Sequence, residues 1–355
     1  MNIIHCISAA AAGGAEIYVK DLAIAMVRKG HNVHICFLSH AYEVGRDAEF
    51  EKKFLDDLTS NNISFSFIGN KARKNPFYGF MKLRGVVKGF KADVLHCHLY
   101  YMAIFSLGII GVKVFYTHHN IKLNAHPLMY KLLNLRVNTY IGICLNCTKL
   151  LKSVTNKNVV RIDNAVNENK IIRQPAQLVK SKPVKVIMVG GLAEQKNYLL
   201  MLNAVTYLND LDFQVIIAGE GPLKELIIEE IHKLNISNKV TLIGNCNDVP
   251  KLLSGGDIFA MSSLWEGLPI SLLEATLTGL PVIVTNVGGC SEVVHNCYNG
   301  VVVDELNPTS YARGLRKLIE LNAHREFYSN NAINFSARYT ISYSLNKHLD
   351  LYDKV

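Results

Sequence analysis

The sequence predicts two doubly wound α/β domains, each built on a parallel β-sheet with helices on both faces. Short apolar runs of strand length alternate with helical stretches throughout the 355 residues. These runs lack a polar face, as expected for strands that are buried on both sides. They fall into two series with a polar stretch between them, and the chain is long enough for two hydrophobic cores.

Seven strands are predicted in the first series and six in the second. The first series is Asn2–Ser8, His31–Leu38, Ser64–Ile68, Val94–Cys97, Lys113–Thr117, Tyr140–Cys144 and Val159–Ile162. The second is Val184–Val189, Gln214–Ala218, Val240–Gly244, Ile258–Ser262, Val282–Thr285 and Gly300–Val303. The predicted domains are 1–168 and 184–335, with a linker at 169–183 that is rich in Lys and Gln. Residues 336–355 form a C-terminal segment that we expect to be helical from about Ile341.

The composition is that of a soluble globular protein, with 49% hydrophobic and 19% charged residues. The N-terminus lacks a basic segment followed by a long apolar one, and the run Leu99–Tyr116 is broken by Gly108, Gly111 and Lys113. We therefore expect a cytoplasmic protein without a signal peptide or a membrane span. The eight cysteines form no framework, and the pair at 144 and 147 has no second pair to complete a zinc site, which favours buried, reduced thiols.

Positive charge is concentrated in the N-terminal half. Residues 1–168 contain 21 basic and 11 acidic side chains, whereas residues 169–355 contain 17 and 18. The densest segment, 71–91, has seven basic residues, no acidic residue and several interleaved aromatic residues. This pattern is typical of a helix that binds an anionic membrane surface, and it is also compatible with an ordinary solvated helix face. No nucleic-acid-binding module is recognised, so we expect no nucleic-acid partner.

Two glutamates eight positions apart, Glu266 and Glu274, flank a predicted helix start. Residues 267–269 indicate a tight turn, and Ile270–Leu277 indicates the beginning of a helix. A helix N-terminus offers free N–H groups and a positive dipole end, which together bind anions. Carboxylates accept hydrogen bonds from hydroxyl groups. Along the chain, a carboxylate, a row of N–H donors and a second carboxylate therefore follow one another. This order fits a nucleotide sugar, which has hexose hydroxyls, a pyrophosphate and ribose hydroxyls.

Further candidate residues follow predicted strands, where ligands bind in doubly wound sheets. Gly13 and Gly14 allow close backbone approach, although a purely structural turn would use them equally. They match neither a dinucleotide fingerprint nor a P-loop. Lys196 follows a Gly-Gly pair and could neutralise a pyrophosphate leaving group, or could be an ordinary solvated lysine. The stretch 219–222, Gly-Glu-Gly-Pro, predicts a turn that opens a helix.

Histidines cluster at two predicted strand ends. His118 and His119 follow one strand, while His96 and His98 flank the end of another. Their spacing matches no zinc motif and no acid lies among them, so a hydrogen bond from His118 to a sugar or phosphate is favoured over metal ligation. The single Asp-x-Asp, at 210 and 212, precedes a strand and so lies at the wrong end of the sheet for a metal clamp. We expect no metal cofactor.

Together these motifs resemble the retaining GT-B glycosyltransferases of family 4. The resemblance extends over nearly the whole chain and rests on the order and spacing of its motifs. They are Gly13-Gly14-x-Glu16, Arg28-Lys-Gly-His31, Asp93-Val-Leu-His-Cys-His98, Thr117-His-His119, Asn164-Ala-Val-Asn167, Val189-Gly-Gly-Leu-x-x-x-Lys196, Gly219-Glu-Gly-Pro222, Glu266-x7-Glu274, Gly279-Leu-Pro-Val282 and Gly288-Gly-x-x-Glu292.

The resemblance implies a GT-B fold, with two Rossmann-like domains that face a central cleft and a C-terminal helix that crosses back to the N-terminal domain. It implies that Glu274 holds the ribose and Glu266 the donor sugar, and that the N-terminal domain binds the acceptor. It implies catalytic roles for Glu266, His118 and Lys196. The implied donor-binding residues are Gly13, Gly14, Gly191, Lys196, Glu220, Leu268, Pro269, Ile270, Ser271 and Glu274.

The implied activity is retaining transfer of a hexose or N-acetylhexosamine from a nucleotide diphosphate sugar to an acceptor hydroxyl. The expected acceptor is a glycan or a lipid-linked glycan in cell-surface polysaccharide or glycolipid biosynthesis. One departure concerns Gly191, because the family often has Arg at that position, and one phosphate-binding cation is therefore missing. Two alternatives remain open: a sugar-nucleotide epimerase on the same fold, and a catalytically degenerate protein that only binds a nucleotide sugar.

Overall fold

The computed structural model describes residues 1–173 and 183–354. The chain divides into two compact units, one formed by Met1–Asn167 with Ile341–Val355 and the other by Glu168–Thr340. Most of the predicted linker, residues 174–182, lies outside the described residues, as does the last residue of the predicted C-terminal helix. Each unit has its own sheet.

The first unit is built on a seven-stranded sheet. Its strands are β1 (Asn2–Ile7), β2 (Asn32–Phe37), β3 (Ser64–Phe67), β4 (Val94–Cys97), β5 (Lys113–His118), β6 (Thr139–Gly142) and β7 (Asn158–Arg161). They lie in the order β3-β2-β1-β4-β5-β6-β7, and every pair is parallel. The connecting helices are α1 (Gly14–Arg28), α2 (Ala48–Ser60), α3 (Pro76–Phe90), α4 (Tyr100–Phe105), α5 (Pro127–Leu133) and α6 (Leu145–Val154).

The second unit repeats this architecture with six strands. They are β8 (Val184–Val189), β9 (Phe213–Ala218), β10 (Val240–Gly244), β11 (Ile258–Met261), β12 (Val282–Thr285) and β13 (Gly300–Val303), in the parallel order β10-β9-β8-β11-β12-β13. The helices are α7 (Tyr198–Val205), α8 (Lys224–Lys233), α9 (Val249–Ser254), α10 (Ile270–Thr278), α11 (Cys290–Cys297), α12 (Pro308–Glu320) and α13 (Asn322–Phe335). The last helix, α14 (Ile341–Lys354), belongs to the first unit and packs against α1.

Local sequence signals explain where several helices begin. The side chains of Asn75, Asp248 and Asn307 each accept a hydrogen bond from a backbone N–H three residues later, and a proline follows each cap within the first turn. A cap of this kind satisfies an N–H that has no partner inside the helix, and proline there loses nothing because its missing N–H would be unpaired. The start of α3, which carries the basic segment, is thus encoded locally.

The predicted fold class is confirmed, since both units have a parallel sheet covered by helices. All thirteen predicted strands are present among the described residues, with ends that differ by at most two positions. The largest difference is at β6, which ends at Gly142 because Cys144 already caps α6, where its sulfur accepts from the N–H of Cys147. In addition, β5 extends to His118. No helix of the described residues has the length and apolarity needed to cross a membrane.

Candidate active site

The sheet of the second unit reverses its direction of growth between β8 and β11. At such a switch point the loops that leave the two neighbouring strands diverge and create a crevice at their carboxyl ends. Here the loop after β8 carries Gly190, Gly191 and Lys196, and the loop after β11 carries Glu266. Two segments that are 70 residues apart in sequence therefore converge at the edge where a ligand is expected.

Lys196 and Glu266 form an ion pair at this edge. The Lys196 Nζ lies 2.6 Å from Glu266 Oε1, and the same oxygen accepts a hydrogen bond from the Ser263 hydroxyl at 2.9 Å. The side chains are only 18% and 6% exposed, respectively, so solvent screens the pair weakly. The structure thus brings together two residues that the sequence analysis placed in separate motifs.

Backbone and side-chain bonds tie the two loops together. Gln195 donates from its side chain to the Trp265 carbonyl at 2.9 Å, and its own carbonyl accepts from the Leu264 N–H at 2.8 Å. The hydroxyl of Ser262 donates toward the carbonyls of Lys196 and Asn197. The position of the lysine relative to the glutamate is therefore set by the scaffold as well as by the ion pair.

The glycine-rich loop after β12 packs against the backbone of Glu266 and Gly267. Gly288 has a φ of +52°, and a Cβ placed there would lie 1.6 Å from the carbonyl oxygen of Glu266. The next residue, Gly289, donates its N–H to the Gly267 carbonyl at 2.7 Å. Only glycine fits position 288, because a side chain would occupy the space of the Glu266 backbone.

A second close approach joins the loops after β8 and β9. A Cβ on Gly219, whose φ is +153°, would lie 2.0 Å from the Gly190 carbonyl oxygen, and one on Gly221 would lie 2.5 Å from the Leu192 carbonyl oxygen. By contrast, a Cβ on Gly191 would meet only the Glu220 carbonyl, at 3.8 Å. The position where the family often has Arg is therefore open.

Glu220 itself pairs with Lys224 one turn further along, at 2.9 Å between Oε1 and Nζ. Both side chains are substantially exposed, at 38% and 41%, so this pair contributes little to stability. It does place a second cation on the segment next to Gly191. The turn that opens α8 lies slightly later than predicted, since the Lys224 N–H donates to the Gly221 carbonyl at 3.2 Å, and α8 begins at Lys224.

Helix α10 begins where the sequence predicted. Pro269 is its N-cap with extended backbone, and Ile270 is its first residue. The N–H groups of the first helical turn have no partner within the helix, and Ile270 and Ser271 supply two of them. Leu268 and Pro269 are buried and fix the entry to the helix, whereas Glu274, one turn in, is partly exposed. The segment therefore has the N–H donors and the carboxylate that the sequence analysis assigned to it.

Tyr198 is a neighbour of this site that the sequence analysis did not identify. Its hydroxyl donates to the Gly190 carbonyl at 2.8 Å, and burial together with the Glu266 carboxylate raises the pKa of its phenol. Tyr198 is therefore a neutral donor that holds the glycine loop. The sequence offers one weak signal for it, a tyrosine two residues after Lys196 at the start of α7.

The remaining predicted residues belong to the first unit, whose sheet reverses between β1 and β4. Gly13 is the N-cap of α1 and Gly14 its first residue. A Cβ on Gly13 would lie 2.1 Å from Glu16 Oε2, a flexible group, and Glu16 is held by the hydroxyl of Ser8 at 2.8 Å. The loop after β1 is thus a helix start with an acid in its first turn.

His118 and His119 have different surroundings, since His118 is the last residue of β5 and His119 lies just beyond it. His118 is fully buried, and its two ring nitrogens already bond to the Tyr116 hydroxyl at 3.2 Å and the Lys122 carbonyl at 3.1 Å. His119 instead contacts His98, at 3.0 Å between Nε2 and Nδ1, and its own Nδ1 has no hydrogen-bond partner in the described structure. A ligand contact by His118 would require one of its bonds to break. His119, left outside the predicted site, has a nitrogen available.

Five histidines, at positions 5, 96, 98, 119 and 348, lie close together. Within the described residues, His5, His96 and His98 have nitrogen atoms within 4.8 Å of one another, near enough to be considered as metal ligands. Every one of their six ring nitrogens, however, has a partner. His5 and His98 bond to each other, and the remaining four nitrogens bond to His119, the Met26 sulfur and the hydroxyls of Tyr352 and Thr117. Hydrogen bonding explains the cluster without an ion.

Two protein-family models match adjoining parts of the chain. The model described as Glycosyltransferase Family 4 matches residues 12–170, and the model described as Glycosyl transferases group 1 matches residues 170–335. The boundary between the two matches lies close to the division between the two units of the structure.

Characterised relatives include two sugar transferases. UDP-Gal:alpha-D-GlcNAc-diphosphoundecaprenol alpha-1,3-galactosyltransferase of Escherichia coli is 36% identical over 138 residues, which cover 38% of this chain and 36% of that protein. One subunit of the human phosphatidylinositol N-acetylglucosaminyltransferase is 28% identical over 334 residues, which cover 86% and 66%. The chain thus spans less than two thirds of the length of each of these relatives.

Among solved structures, HepE of Anabaena in complex with UDP-glucose superimposes with a TM-score of 0.82 at 18% identity. The alignment covers 100% of both chains. At this identity the likeness is one of fold, and it extends over both units.

Proposed function

The chain belongs to the GT-B glycosyltransferases, and from that premise we propose that it transfers a hexose or N-acetylhexosamine from a nucleotide diphosphate sugar to an acceptor hydroxyl. The acceptor is a glycan or a lipid-linked glycan, and the product enters cell-surface polysaccharide or glycolipid biosynthesis. The observation that supports this most directly is the weakly screened Lys196–Glu266 pair at the switch point of the second sheet. The anomeric configuration is retained.

The site meets the main chemical demand of the reaction, which is the negative charge that builds on the pyrophosphate as the glycosidic bond breaks. Lys196 supplies a cation, and the N–H groups of Ile270 and Ser271 supply donors at the positive end of α10. Because these groups are held in place before the reaction, they stabilise the developing charge without reorganising. Glu274 accepts from the ribose hydroxyls one turn further into the helix.

Glu266 takes part through its hydrogen-bonding capacity. In the described structure its Oε1 already accepts hydrogen bonds from Lys196 and Ser263. Its Oε2 would accept the hydrogen bond from a hydroxyl group of the donor sugar. A diphosphate that binds Lys196 shares that cation with Glu266, so donor binding and the orientation of the glutamate are linked.

Charge neutralisation by Lys196 and the helix N-terminus leaves no role for a divalent ion in this proposal. The one Asp-x-Asp precedes β9, at the amino end of the sheet. Asp210 there forms a bidentate pair with the Arg316 guanidinium, at 2.6 and 2.7 Å. This pair ties α12 to the turn before β9.

A donor screen tests the proposal. Purified protein is offered UDP-, GDP- and ADP-linked hexoses and N-acetylhexosamines without added metal, and released nucleoside diphosphate is measured. We expect release with one class of donor and its loss in Glu274→Ala, whereas Glu229→Ala, an exposed glutamate of α8, stays active. Interconversion of the donor sugar without nucleotide release would favour the epimerase. No binding of any nucleoside diphosphate in isothermal titration would favour the degenerate binding protein.

We further propose that the first unit binds the cytoplasmic surface of an anionic membrane, through the segment 71–91. In α3, Leu83 and Val87 face the core, while Phe77 and Met81 are 72% and 47% exposed. The basic residues Lys82, Arg84 and Lys88 are exposed on the same helix. Exposed apolar side chains surrounded by cations fit the boundary between headgroups and acyl chains.

The loop after α4 extends this surface. Phe77 lies 6.2 Å from Phe80, whose ring packs where a Cβ of Gly108 would stand, and Ile110 in that loop is 90% exposed. Pelleting with vesicles tests this surface: binding to phosphatidylglycerol vesicles is expected and binding to phosphatidylcholine vesicles is not. The triple change of Lys82, Arg84 and Lys88 to Glu should abolish binding, and Lys52→Glu on α2 should not. Equal pelleting of both variants would rule out this segment as the binding surface.

A further inference from the structure

Three histidines of the first unit form a continuous hydrogen-bonded chain. His119 Nε2 lies 3.0 Å from His98 Nδ1, and His98 Nε2 lies 3.0 Å from His5 Nδ1. His5 Nε2 ends the chain at the sulfur of Met26, at 3.3 Å. The chain begins at His119 Nδ1, which is buried and has no partner among the described residues.

All three rings are neutral. Burial lowers the pKa of both His5 and His119 to about 3, and burial together with the neighbouring histidines holds the pKa of His98 well below its usual range. A neutral imidazole has one N–H donor and one acceptor nitrogen. In a chain of such rings, the state of one ring therefore fixes the state of the next.

Met26 sets the direction of the chain. A thioether sulfur accepts a weak hydrogen bond but has no hydrogen to donate, so the proton of His5 lies on Nε2. His5 Nδ1 is then an acceptor and takes the N–H of His98 Nε2. His98 Nδ1 in turn accepts from His119 Nε2, which leaves a lone pair on His119 Nδ1.

The opposite direction is less favourable at both ends. It would place a lone pair of His5 against the sulfur of Met26, where no donor exists. It would also leave an N–H of His119 buried without an acceptor. The first direction leaves only one group unsatisfied, the acceptor at His119 Nδ1, and a buried polar group without a partner is costly.

We propose that Met26, His5 and His98 are positioning residues that fix the tautomer of His119, so that its Nδ1 selects a hydroxyl group of the substrate. The inference deepens the proposed function and rests on it, since it assigns this face of the first unit to the substrate. A sugar hydroxyl donates to Nδ1 and completes the chain. A phosphate oxygen has no hydrogen to offer there at neutral pH, so the three tautomers would all have to reverse.

The ring of His119 is also held in orientation by α1 and α14. Its edge meets the ring of Tyr18, with centroids 6.4 Å apart and planes at 66°. Tyr18 is fixed in turn by Ser344 at 2.8 Å and His348 at 2.9 Å. The lone pair of Nδ1 therefore has a defined direction as well as a defined chemical character.

The tautomer can be measured without substrate. Long-range proton–nitrogen spectra of full-length protein with ring-labelled histidine distinguish the two neutral tautomers, and His119→Asn identifies the signals of His119. We expect the proton of His119 on Nε2 at pH 7.5. His98→Phe should shift the signals of His119 toward those of a mixture of the two neutral tautomers. His98→Gln, whose amide can both accept and donate a hydrogen bond, should restore the wild-type signals. A proton on Nδ1 of His119 in the wild type would overturn the proposal.

Transfer activity provides the second arm. With UDP-glucose, UDP-galactose and UDP-N-acetylglucosamine as probes, His98→Phe should lower kcat/KM by about ten-fold or more, the effect of one lost hydrogen bond, with recovery in His98→Gln. His34→Gln is the matched control, because this buried histidine bonds only to the hydroxyls of Ser64 and Ser66. Unchanged activity in a folded His98→Phe variant would overturn the proposal that His119 selects a hydroxyl group of the substrate. If the wild type releases no nucleotide, the proposed function fails, and the spectra still decide the tautomer.

Discussion

The two units place different chemistry at equivalent positions of similar sheets. At the switch point of the second unit, a lysine and a glutamate form an ion pair beside a helix N-terminus. At the switch point of the first unit, five histidines, four of them buried, are joined by neutral hydrogen bonds to one another, to tyrosines and to a threonine. The ion pair is accompanied by a hydrogen bond from Ser263, whereas the histidine cluster leaves His119 Nδ1 and His348 Nδ1 buried without a partner among the described residues.

The difference suggests that the two units bind different chemical groups of the substrates. A charged, preorganised site suits the diphosphate of a donor, because its groups are stronger where water is excluded. A neutral network with an unsatisfied acceptor suits the hydroxyl groups of a sugar. The two units should therefore respond differently to pH and to substitution, and the following predictions exploit that difference in order of decreasing effect.

Acid should destabilise the first unit most. Burial lowers the pKa of His5, His119 and His348 to about 3, below the value of about 6.5 expected in the unfolded chain. The unfolded chain then binds more protons, so the unfolding free energy falls as the pH drops below about 6.5 and continues to fall toward pH 3. Each neutral histidine costs about 1.4 kcal/mol per pH unit in that window.

Urea unfolding at pH 7.5, 6.5 and 5.5 measures this effect. The single tryptophan, Trp265, reports on the second unit, while circular dichroism reports on both. The dichroism transition should move to lower urea in acid well before the tryptophan transition does. His348→Gln should flatten the dependence, and His232→Gln, at an exposed position of α8, should not. Equal shifts of both transitions with pH would contradict the assignment of the acid sensitivity to the first unit.

Substitution of Lys196 in the second unit should have the next largest effect. Lys196→Ala removes one of the two donors to Glu266 Oε1, leaving Ser263, and it removes a charge from the proposed pyrophosphate site. We expect kcat/KM to fall by about 100-fold or more, as for the loss of a preorganised electrostatic group. Lys239→Ala, a lysine that bonds to carbonyls before β9, is the control. Equal losses in both variants would show that the effect is not specific to the pair.

Gly288→Ala should destabilise the second unit through its backbone. The new Cβ would overlap the Glu266 carbonyl, and the residue would also have to keep a φ of +52°. We expect a loss of about 2 kcal/mol in unfolding free energy, seen in the tryptophan transition, together with reduced donor affinity. Gly255→Ala, whose nearest contact would be 3.6 Å, should change stability by less than about 0.5 kcal/mol. A stable, fully active Gly288→Ala would refute the supporting role of this loop.

Gly191→Arg should have the smallest effect, and in the opposite direction. Its Cβ has room, and the new guanidinium would add a cation beside Lys196. We expect nucleoside diphosphate to bind a few-fold more tightly, by roughly 1 kcal/mol, in isothermal titration at low salt. Gly89→Arg adds the same charge to an open position of α3 and should leave affinity unchanged. Weaker binding to Gly191→Arg would show that another group already fills the role of this cation.

The strands and the helix starts were predictable because their signals are local. Apolar runs of four to six residues mark buried parallel strands, and caps followed by proline mark helices such as α3 and α12. The start of α10 was predictable for the same reason, from Gly267, Leu268 and Pro269. These features depend on residues within one turn of each other.

The choice between His118 and His119 could not be made from the sequence. His119 lies one residue beyond the end of β5 at His118, where the alternation of a strand no longer fixes the direction of a side chain. His118 was favoured because the predicted β5 ends at Thr117, one residue before the observed end of the strand. Which histidine carries a free nitrogen depended on Tyr116 and Lys122, partners that only the structure identifies.

The sequence alone therefore determined the two sheets and the family resemblance, and it predicted the segments that would approach a ligand, because periodicity, caps and motif order are properties of the chain itself. Only the tertiary structure decided which of those segments meet. It paired Lys196 with Glu266 across 70 residues, placed Gly288 against the Glu266 backbone, and joined His119 to His98, His5 and Met26. The physical reason is that strand order and register bring distant residues into contact, and hydrogen bonds and close packing act only over a few ångströms.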